Sequence, residues 1–249
     1  MFKVGSALPR VFKDALIDSP FGFFRLIIQE LMFFRGNRFY GQTAEDGILQ
    51  KLLVQVNGFY IDIGAGKPKS GSNTQIFYRR VGWNGILVDP INRNVRLLKY
   101  LRPRDLVLEC LVGNRKEEIE FWEFEPYEYS TAEKNVANEV LEIEGVRLKK
   151  RTRRVVKTLA EITKDCDSLI PSLLNIDCEG FDLEVLESND WDRFRPTVIC
   201  IEEWDFKFDT GETEIGSYLL NLHYSRFAFT GLSSVFIDNL NLHGVGSNS

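Results

Sequence analysis

Acidic residues stand at the ends of several apolar, strand-like runs in this 249-residue chain. A carboxylate at such a position can bind the hydroxyl groups of a ribose, accept a proton from a reacting group, or ligate a metal ion. Because the carboxyl ends of parallel strands meet at one edge of a sheet, we expect five of these residues to share one rim: Asp62, Asp89, Asp177, Glu202 and Glu203.

The first of these runs leads into a glycine loop. Residues 59–63 precede Gly64-Ala65-Gly66, and a predicted helix over 74–81 and a second apolar run ending at Asp89 follow. Two glycines two apart let the backbone turn sharply and approach a ligand, where a side chain would collide. The alternative is that they only form a tight turn. With an acid placed to accept hydrogen bonds from ribose hydroxyls, the pattern predicts an adenosine-binding site formed by Asp62, Gly64, Ala65, Gly66, Asp89 and Pro90.

The residues after the loop favour one class of nucleoside ligand. A dinucleotide fingerprint has a third glycine three residues after the second, but this position is Lys69, and Lys67-Pro68-Lys69-Ser70 replaces the expected helix start. The loop therefore fits a ligand without phosphates and with an amino-acid end, namely S-adenosylmethionine. An NAD-type oxidoreductase and a non-catalytic nucleotide-binding protein of the same fold remain the alternatives.

Two further segments are predicted to contact this cofactor. Thr43 is a plausible N-cap of the helix that follows it, and Gln42, Glu45 and Asp46 are placed to reach over the glycine loop to the charged end of the ligand. Alternatively, the two acids only match the helix dipole. Residues 106–112 read as one buried strand, whose end predicts an adenine-pocket wall made by Cys110, Leu111 and Val112.

The second half of the sequence supplies the candidate catalytic groups. Residues 172–177 are a predicted strand that ends in Asp177, and Glu179 follows before a helix over 182–187. We expect Asp177, which is also predicted to contact the cofactor, and Glu179 to act as the base, with Glu202 as a third catalytic residue. Mg²⁺ held by Asp177, Glu202 and Glu203 is an alternative, as is a purely structural Glu202 at its strand end.

Composition limits the remaining classes of function. The chain is 44% hydrophobic and 27% charged, with a net charge of −5, which suits a single α/β domain with a core and makes nucleic acid an unexpected partner. Four scattered cysteines without metal-finger spacing, and the absence of a secretory pattern, predict a cytoplasmic protein. No transmembrane segment is expected.

The chain divides into three predicted parts: a helical extension over 1–40, a catalytic domain over 41–240 with an insertion at about 125–152, and a flexible tail over 241–249. The aromatic segment 21–35 is predicted to pack on the domain or on a second subunit of a homodimer. Alternatively, it contacts a membrane surface or lipid peripherally, aided by nearby cations: Lys3, Arg10, Lys13, Arg25, Arg35 and Arg38.

A basic run adds an open question about the acceptor. Residues 147–154 hold six cations in eight positions, which usually indicates a solvated strand or turn. The functional alternative is a phosphate-bearing acceptor, such as a nucleotide sugar or a lipid-linked glycan.

Several motifs together resemble the FkbM family of methyltransferases over residues 40–239. They are Tyr40-Gly-Gln-x-x-Glu-Asp-Gly-Ile-Leu, Tyr60-Ile-Asp-Ile-Gly-Ala-Gly, Leu87-Val-Asp-Pro and Asn175-Ile-Asp-Cys-Glu-Gly. The resemblance implies a Rossmann-like class I methyltransferase fold of the α/β class: a mostly parallel seven-stranded sheet with one antiparallel strand and helices on both faces. It also implies O-methyl transfer from S-adenosylmethionine to a hydroxyl, often on a sugar, glycan or small metabolite. The Glu202-Glu203 pair departs from the single Glu that is common in the family, and the acceptor does not carry over.

Overall fold

The computed structural model describes residues 19–32, 39–114, 117–166, 171–203, 206 and 211–241. The predicted tail beyond residue 241 and the cations Lys3, Arg10, Lys13, Arg35 and Arg38 lie outside these residues. The described strands are β1 (Gly58–Ile63), β2 (Trp83–Val88), β3 (Leu106–Leu108), β4 (Leu111–Val112), β5 (Glu118–Glu125), β6 (Arg147–Lys157), β7 (Pro171–Ile176), β8 (Val198–Glu202), β9 (Tyr224–Phe229) and β10 (Ser233–Asp238). The described helices are α1 (Pro20–Met32), α2 (Glu45–Leu52), α3 (Gln75–Tyr78), α4 (Asn92–Leu101), α5 (Lys134–Leu141), α6 (Leu159–Thr163), α7 (Asp182–Glu187) and α8 (Glu214–Asn221).

Seven strands form the central sheet, in the order β3-β2-β1-β7-β8-β10-β9. All neighbours are parallel up to β8, whereas β10 runs antiparallel to both β8 and β9. The order reverses between β1 and β7, so the carboxyl ends of these two strands flank a crevice where ligands bind in such sheets. The predicted mostly parallel seven-stranded sheet with one antiparallel strand is confirmed.

Helices cover both faces of this sheet, as predicted. Side chains alternate between the faces along a strand, so Ile61 and Ile63 pack under α6, α7 and α8. Tyr60 and Leu87 pack on the opposite face, under α2, α3 and α4. Because both faces are buried, the central strands read as continuous apolar runs in the sequence.

A second, three-stranded sheet has the order β4-β6-β5. The predicted single strand over 106–112 is wrong, because its first part pairs with β2 and its last part, Leu111–Val112, pairs with β6. The chain thus leaves the central sheet after β3 and enters the second sheet at β4. The predicted insertion, 125–152, lies within this second unit.

The basic run forms most of β6, antiparallel to the acid-bearing β5. Lys150 lies 3.1 Å from Glu123, and Arg151 lies 3.5 Å from Glu120. The run therefore forms a mostly exposed strand, as predicted. Opposite charges across the two strands stabilise their pairing.

Helix α1 packs on the domain with most of its large apolar side chains exposed. Of the apolar group Phe24, Ile27, Ile28 and Leu31, only Ile27 is buried, and Phe24 remains 59% exposed. The buried Glu30 carboxylate instead accepts hydrogen bonds from the backbone N–H groups of Lys69 (2.9 Å) and Ser70 (3.0 Å). The helix is thereby attached to the loop that follows the glycines. Within the described residues, no helix has the length and apolar character that crossing a membrane requires.

A buried polar network fixes the start of α3. Arg102, which follows α4 and is fully buried, forms an ion pair with Asp105 (Nε–Oδ2 2.8 Å). Its guanidinium also donates hydrogen bonds to the hydroxyl groups of Tyr60 (2.9 Å), Ser72 (3.2 Å) and Thr74 (3.0 Å). A charge so completely removed from water is tolerated only when it is paired and hydrogen-bonded.

Replacing Arg102 with Met should therefore destabilise the fold by roughly 3–5 kcal/mol, because Asp105 would be left buried without its cation. Urea unfolding measures the change. Lys99→Met, at an exposed position of α4, is the matched control and should change the free energy of unfolding by less than about 0.5 kcal/mol. Equal effects of the two substitutions would contradict the importance of the network.

Candidate active site

A cavity of about 1120 Å³ lies at the carboxyl edge of the central sheet. The glycine loop, the ends of β1 and β2, the segment before α2 and the segment after β7 form one part of its wall. The second sheet, the segment before α5 and α7 form the rest. Pockets for small ligands commonly measure 300–1,000 Å³, so this cavity has room for a nucleoside cofactor together with a second molecule.

The glycine loop adopts a conformation that favours glycine at both ends. Gly64 has φ +77° and Gly66 has φ +55°, in the left-handed region that other residues rarely adopt. At Gly64 there is also no room for a side chain, because a Cβ atom would lie 1.7 Å from the carbonyl oxygen of Asp177. The loop that would hold the cofactor thus touches the segment that carries the predicted base.

Asp89 lies at the end of β2 and faces this cavity. Its carboxylate accepts hydrogen bonds from the backbone N–H of Gly66 (2.9 Å) and of Ile91 (2.7 Å), and from the Asn94 amide. Burial raises the pKa of Asp89 to about 7, although these hydrogen bonds act in the opposite direction. The carboxylate is therefore held in one orientation at the position predicted for a ribose contact.

Other residues predicted to contact the cofactor also line the cavity: Gln42, Gly64, Ala65, Gly66, Pro90, Cys110, Leu111, Val112 and Asp177. The three residues of the predicted adenine wall lie where the chain crosses from β3 to β4, and burial raises the pKa of the Cys110 thiol to about 11. This thiol is therefore a buried apolar group of the wall.

Asp62 does not line the cavity, contrary to the prediction. Its carboxylate lies on the α2–α4 face of the sheet, where it accepts hydrogen bonds from Thr74 and from the side-chain amide of Asn175 (2.9 Å). Asp62 is the penultimate residue of β1, two positions after Tyr60, so the alternation of the strand turns the acid to the same face as Tyr60. These hydrogen bonds connect Asp62 to Thr74, at the start of α3, and to Asn175 of β7.

Glu45 and Asp46, which are also predicted to contact the cofactor, do not line the cavity either. Their carboxylates bind the segment that precedes α2. Glu45 accepts hydrogen bonds from the backbone N–H (3.0 Å) and hydroxyl of Thr43, and Asp46 accepts one from the backbone N–H of Tyr40 (2.8 Å). The N-cap is Ala44, not Thr43 as predicted, and its φ of 63° is left-handed. These contacts fix the segment that brings Gln42 to the cavity wall.

The three predicted catalytic residues form one cluster. A carboxyl oxygen of each of Asp177, Glu179 and Glu202 lies within 4.8 Å of the other two, and Asp177 and Glu179 line the cavity. The side chains of Asp177 and Glu202 lie within hydrogen-bonding range of each other, and such a bond forms when one of the two carboxyl groups is protonated. Asp182 shapes this turn by accepting hydrogen bonds from the backbone N–H of Cys178 (3.0 Å) and of Gly180 (3.1 Å).

Two carboxyl groups of this cluster titrate near neutral pH. Burial, followed by the neighbouring Asp182 carboxylate, raises the pKa of Asp177 to about 7. Burial and the carboxylates of Asp177 and Asp182 raise the pKa of Glu179 to about 8. A carboxylate with such a pKa is a stronger base than an exposed one, and it is still ionised in part at neutral pH.

Glu203 does not join the cluster, so the predicted metal-ligand set of Asp177, Glu202 and Glu203 is corrected. Glu203 forms an ion pair with Arg226 (2.8 Å) and accepts a hydrogen bond from the Thr213 hydroxyl. Successive residues of a strand point in opposite directions, which separates it from Glu202. The oxygen ligands that the structure brings together are those of Asp177, Glu179 and Glu202.

The insertion predicted at about 125–152 contributes side chains to the cavity wall. Tyr127 lines the cavity between Lys67 and Arg93, whose cationic groups lie 5.1 Å and 5.2 Å from its ring centroid. Among the residues not singled out are Ile119 and Phe121 of β5, and Glu184 and Glu187 of α7. The i, i+3 spacing of the two glutamates was the available signal that they share a helix face.

Comparison with known proteins gives a family match. A family model described as the methyltransferase FkbM domain matches residues 62–227, which is more than half of the chain. No curated protein sequence matches significantly.

Three solved structures are similar at low identity. A methyltransferase FkbM from Methylobacillus flagellatus KT has a TM-score of 0.47 and 14% identity, with 73% of this chain and 43% of that one covered. A methyltransferase from Geobacter sulfurreducens has a TM-score of 0.45 and 12% identity, with coverage of 93% and 96%. A precorrin-6y C5,15-methyltransferase from Geobacter metallireducens GS-15 has a TM-score of 0.42 and 13% identity, with coverage of 84% and 96%. This chain thus spans less than half of the first of these proteins.

The close approach of Gly64 to Asp177 yields a direct test. Gly64→Ala should destabilise the protein severely, because the added Cβ overlaps a backbone oxygen and φ is positive. Thermal unfolding measures this loss. Gly113→Ala is a matched control at the same cavity, since its Cβ would meet only Val156, at 3.5 Å, and we expect its unfolding temperature to be nearly unchanged. A Gly64→Ala protein as stable as this control would show that the two segments can separate freely.

Proposed function

Since this chain belongs to the FkbM methyltransferase family, we propose that it transfers a methyl group from S-adenosylmethionine to a hydroxyl of a sugar, a glycan or another small metabolite. The observation that carries the proposal is the contact between Gly64 and Asp177. Because of this contact, the candidate cofactor loop and the candidate base open into a single cavity, as methyl transfer between two bound molecules requires.

The cavity residues fit the cofactor. Asp89 supplies an oriented carboxylate for the two ribose hydroxyls, and Cys110, Leu111 and Val112 supply an apolar wall for the adenine. The glycine loop lets the backbone approach the ligand closely, and Gln42 is available to the amino-acid end. No helix begins directly after the glycine loop, since α3 starts at Gln75. This arrangement supports a ligand without a pyrophosphate over NAD.

The chemistry divides between the cofactor and the chain. When bound, S-adenosylmethionine supplies an electrophilic methyl group on a sulfonium. The chain has to align the acceptor hydroxyl with that group and to take up its proton, since a sugar hydroxyl is a weak acid. We assign proton uptake to the carboxylate of Asp177, with Glu179 beside it to hold the acceptor hydroxyl. Glu202 contributes through its hydrogen bond to Asp177.

In a second arrangement, the same three carboxylates bind Mg²⁺. Asp177, Glu179 and Glu202 could hold the ion through carboxylate oxygens, and it would lower the pKa of the acceptor hydroxyl. We favour the arrangement without the ion, because burial and the neighbouring Asp182 carboxylate raise the pKa of Asp177 to about 7, where its carboxylate can take up a proton without a metal.

The cofactor assignment predicts that the protein binds S-adenosylhomocysteine in calorimetry and releases no heat with NAD. Asp89→Ala should weaken this binding about 10- to 100-fold, because two hydrogen bonds to ribose would be lost. The same titration with Glu142→Gln, an exposed position after α5 that lies outside the cavity, should match the unaltered protein. Undiminished affinity in the Asp89 variant would remove the proposed ribose contact.

The catalytic assignment predicts that Asp177→Asn loses methyl transfer by about 100-fold or more, the usual contribution of a general base, while S-adenosylhomocysteine still binds. In the unaltered protein the rate should rise as pH passes from about 6 to about 8, because the pKa of Asp177 is about 7 and only its ionised form accepts a proton. Transfer of labelled methyl groups to a panel of sugars, with and without EDTA, measures both effects, and the activity should survive EDTA.

Stability provides the internal control for this variant. The folded-state pKa of Asp177 is raised above its ordinary value of 3.8, so its ionisation opposes folding, and that cost develops as pH rises from 3.8 towards 7. Asp177→Asn should therefore unfold at an equal or higher temperature at pH 8. Full activity of this variant would refute the assigned base.

A further inference from the structure

The charged side chains that line the cavity are mostly acidic. Asp177 and Glu179 lie at the reaction centre, and further acids surround the space next to them, on the segment before α5 and on α7: Glu128, Glu133, Glu184 and Glu187. Among the described residues that line the cavity, Lys67 is the only lysine or arginine. Its ammonium is already engaged, 3.4 Å from the Glu128 carboxylate and over the ring of Tyr127.

The basic strand β6 does not reverse this balance. Four of its cations form ion pairs with acids of β5 or of the β3–β4 connection, among them Lys150 with Glu123 at 3.1 Å and Arg154 with Glu109 at 3.0 Å. Within the described cavity wall, β6 is represented by Val156. The basic run therefore has a role in pairing the strands of the second sheet, and none of its charged groups lines the described part of the cavity.

From these charges we infer that the acceptor is a neutral or amine-bearing polyhydroxyl compound, such as an amino sugar, and that it carries no phosphate or carboxylate group. The inference rests on the proposed function, since it concerns the second molecule in the same cavity. Each carboxylate about 7 Å from a charged group changes binding by roughly threefold even at the dielectric constant of water, and several act together here. An ammonium group on the acceptor is attracted by Glu184 and Glu187, whereas a phosphate is repelled.

The test compares acceptors that share one ring and differ in charge. The unaltered protein, labelled S-adenosylmethionine and glucosamine, glucose, glucose 6-phosphate or glucuronate are incubated at low and at moderate salt, and transferred methyl is measured. We expect transfer to glucosamine or glucose to exceed transfer to the two anionic sugars by at least about tenfold. Added salt should reduce the preference for the amine, because it screens the carboxylates.

A double variant and a control establish the cause. Glu184→Gln with Glu187→Gln should lower the preference for glucosamine over glucose about three- to tenfold and leave S-adenosylhomocysteine affinity unchanged. Glu142→Gln removes one negative charge outside the cavity and should change neither quantity.

The outcomes separate this inference from the proposed function. Preferred transfer to glucose 6-phosphate or glucuronate overturns the charge assignment and supports the methyltransferase. A preference for the amine that survives in the double variant also overturns the assignment. Failure to bind S-adenosylhomocysteine contradicts the proposed function and removes the inference with it. Binding without transfer to any of the four sugars overturns the assigned acceptor class, whereas the proposed function then rests on the wider panel of sugars.

Discussion

The site depends on the close packing of two strand ends, β1 and β7. The backbone N–H of Asp177 donates a hydrogen bond to the carbonyl oxygen of Ile63 (3.0 Å), and the next residue, Gly64, lies against the Asp177 carbonyl. Only a residue without a Cβ fits there. This single contact joins the loop that approaches the ligand to the segment that carries the carboxyl cluster, so the two halves of the candidate site cannot be positioned independently.

The same contact accounts for the unusual electrostatics of the site. Asp177 is brought beside the loop together with Glu179 and the buried Glu202. Burial and like charges then raise the pKa values of Asp177 and Glu179 towards the range in which a carboxylate can act as a base. Such a cluster opposes folding, and the surrounding structure has to stabilise it. The buried network of Arg102 and Asp62 contributes to this by fixing Thr74, at the start of α3, and Asn175 of β7.

The second sheet gives the cavity its particular character. The chain leaves the central sheet after β3. Residues 111–112, which follow, pair with β6 and line the cavity. Several cations of β6 face acids of β5, and acids before α5 and on α7 line the cavity that also holds the candidate base. A basic run in the sequence and an acidic cavity in the structure are thus compatible, because strand pairing engages these cations.

Local sequence patterns were sufficient for most of the framework. The family, the sheet class, the bounds of α7, and the cavity positions of Gly64, Gly66, Asp89 and Asp177 could be predicted, because motif residues, glycine spacing and strand-end acids are local signals. Only the tertiary structure decided which way each acid points. Asp62 and Glu203 stand beside strand ends as the other acids do, yet their side chains are engaged by Asn175 and Arg226. The strand with which residues 111–112 pair could not be predicted either, since a short apolar run does not specify its partner strand. The physical reason is the same in each case: side-chain direction and strand pairing are set by neighbours that are distant in sequence and come together only in the folded chain.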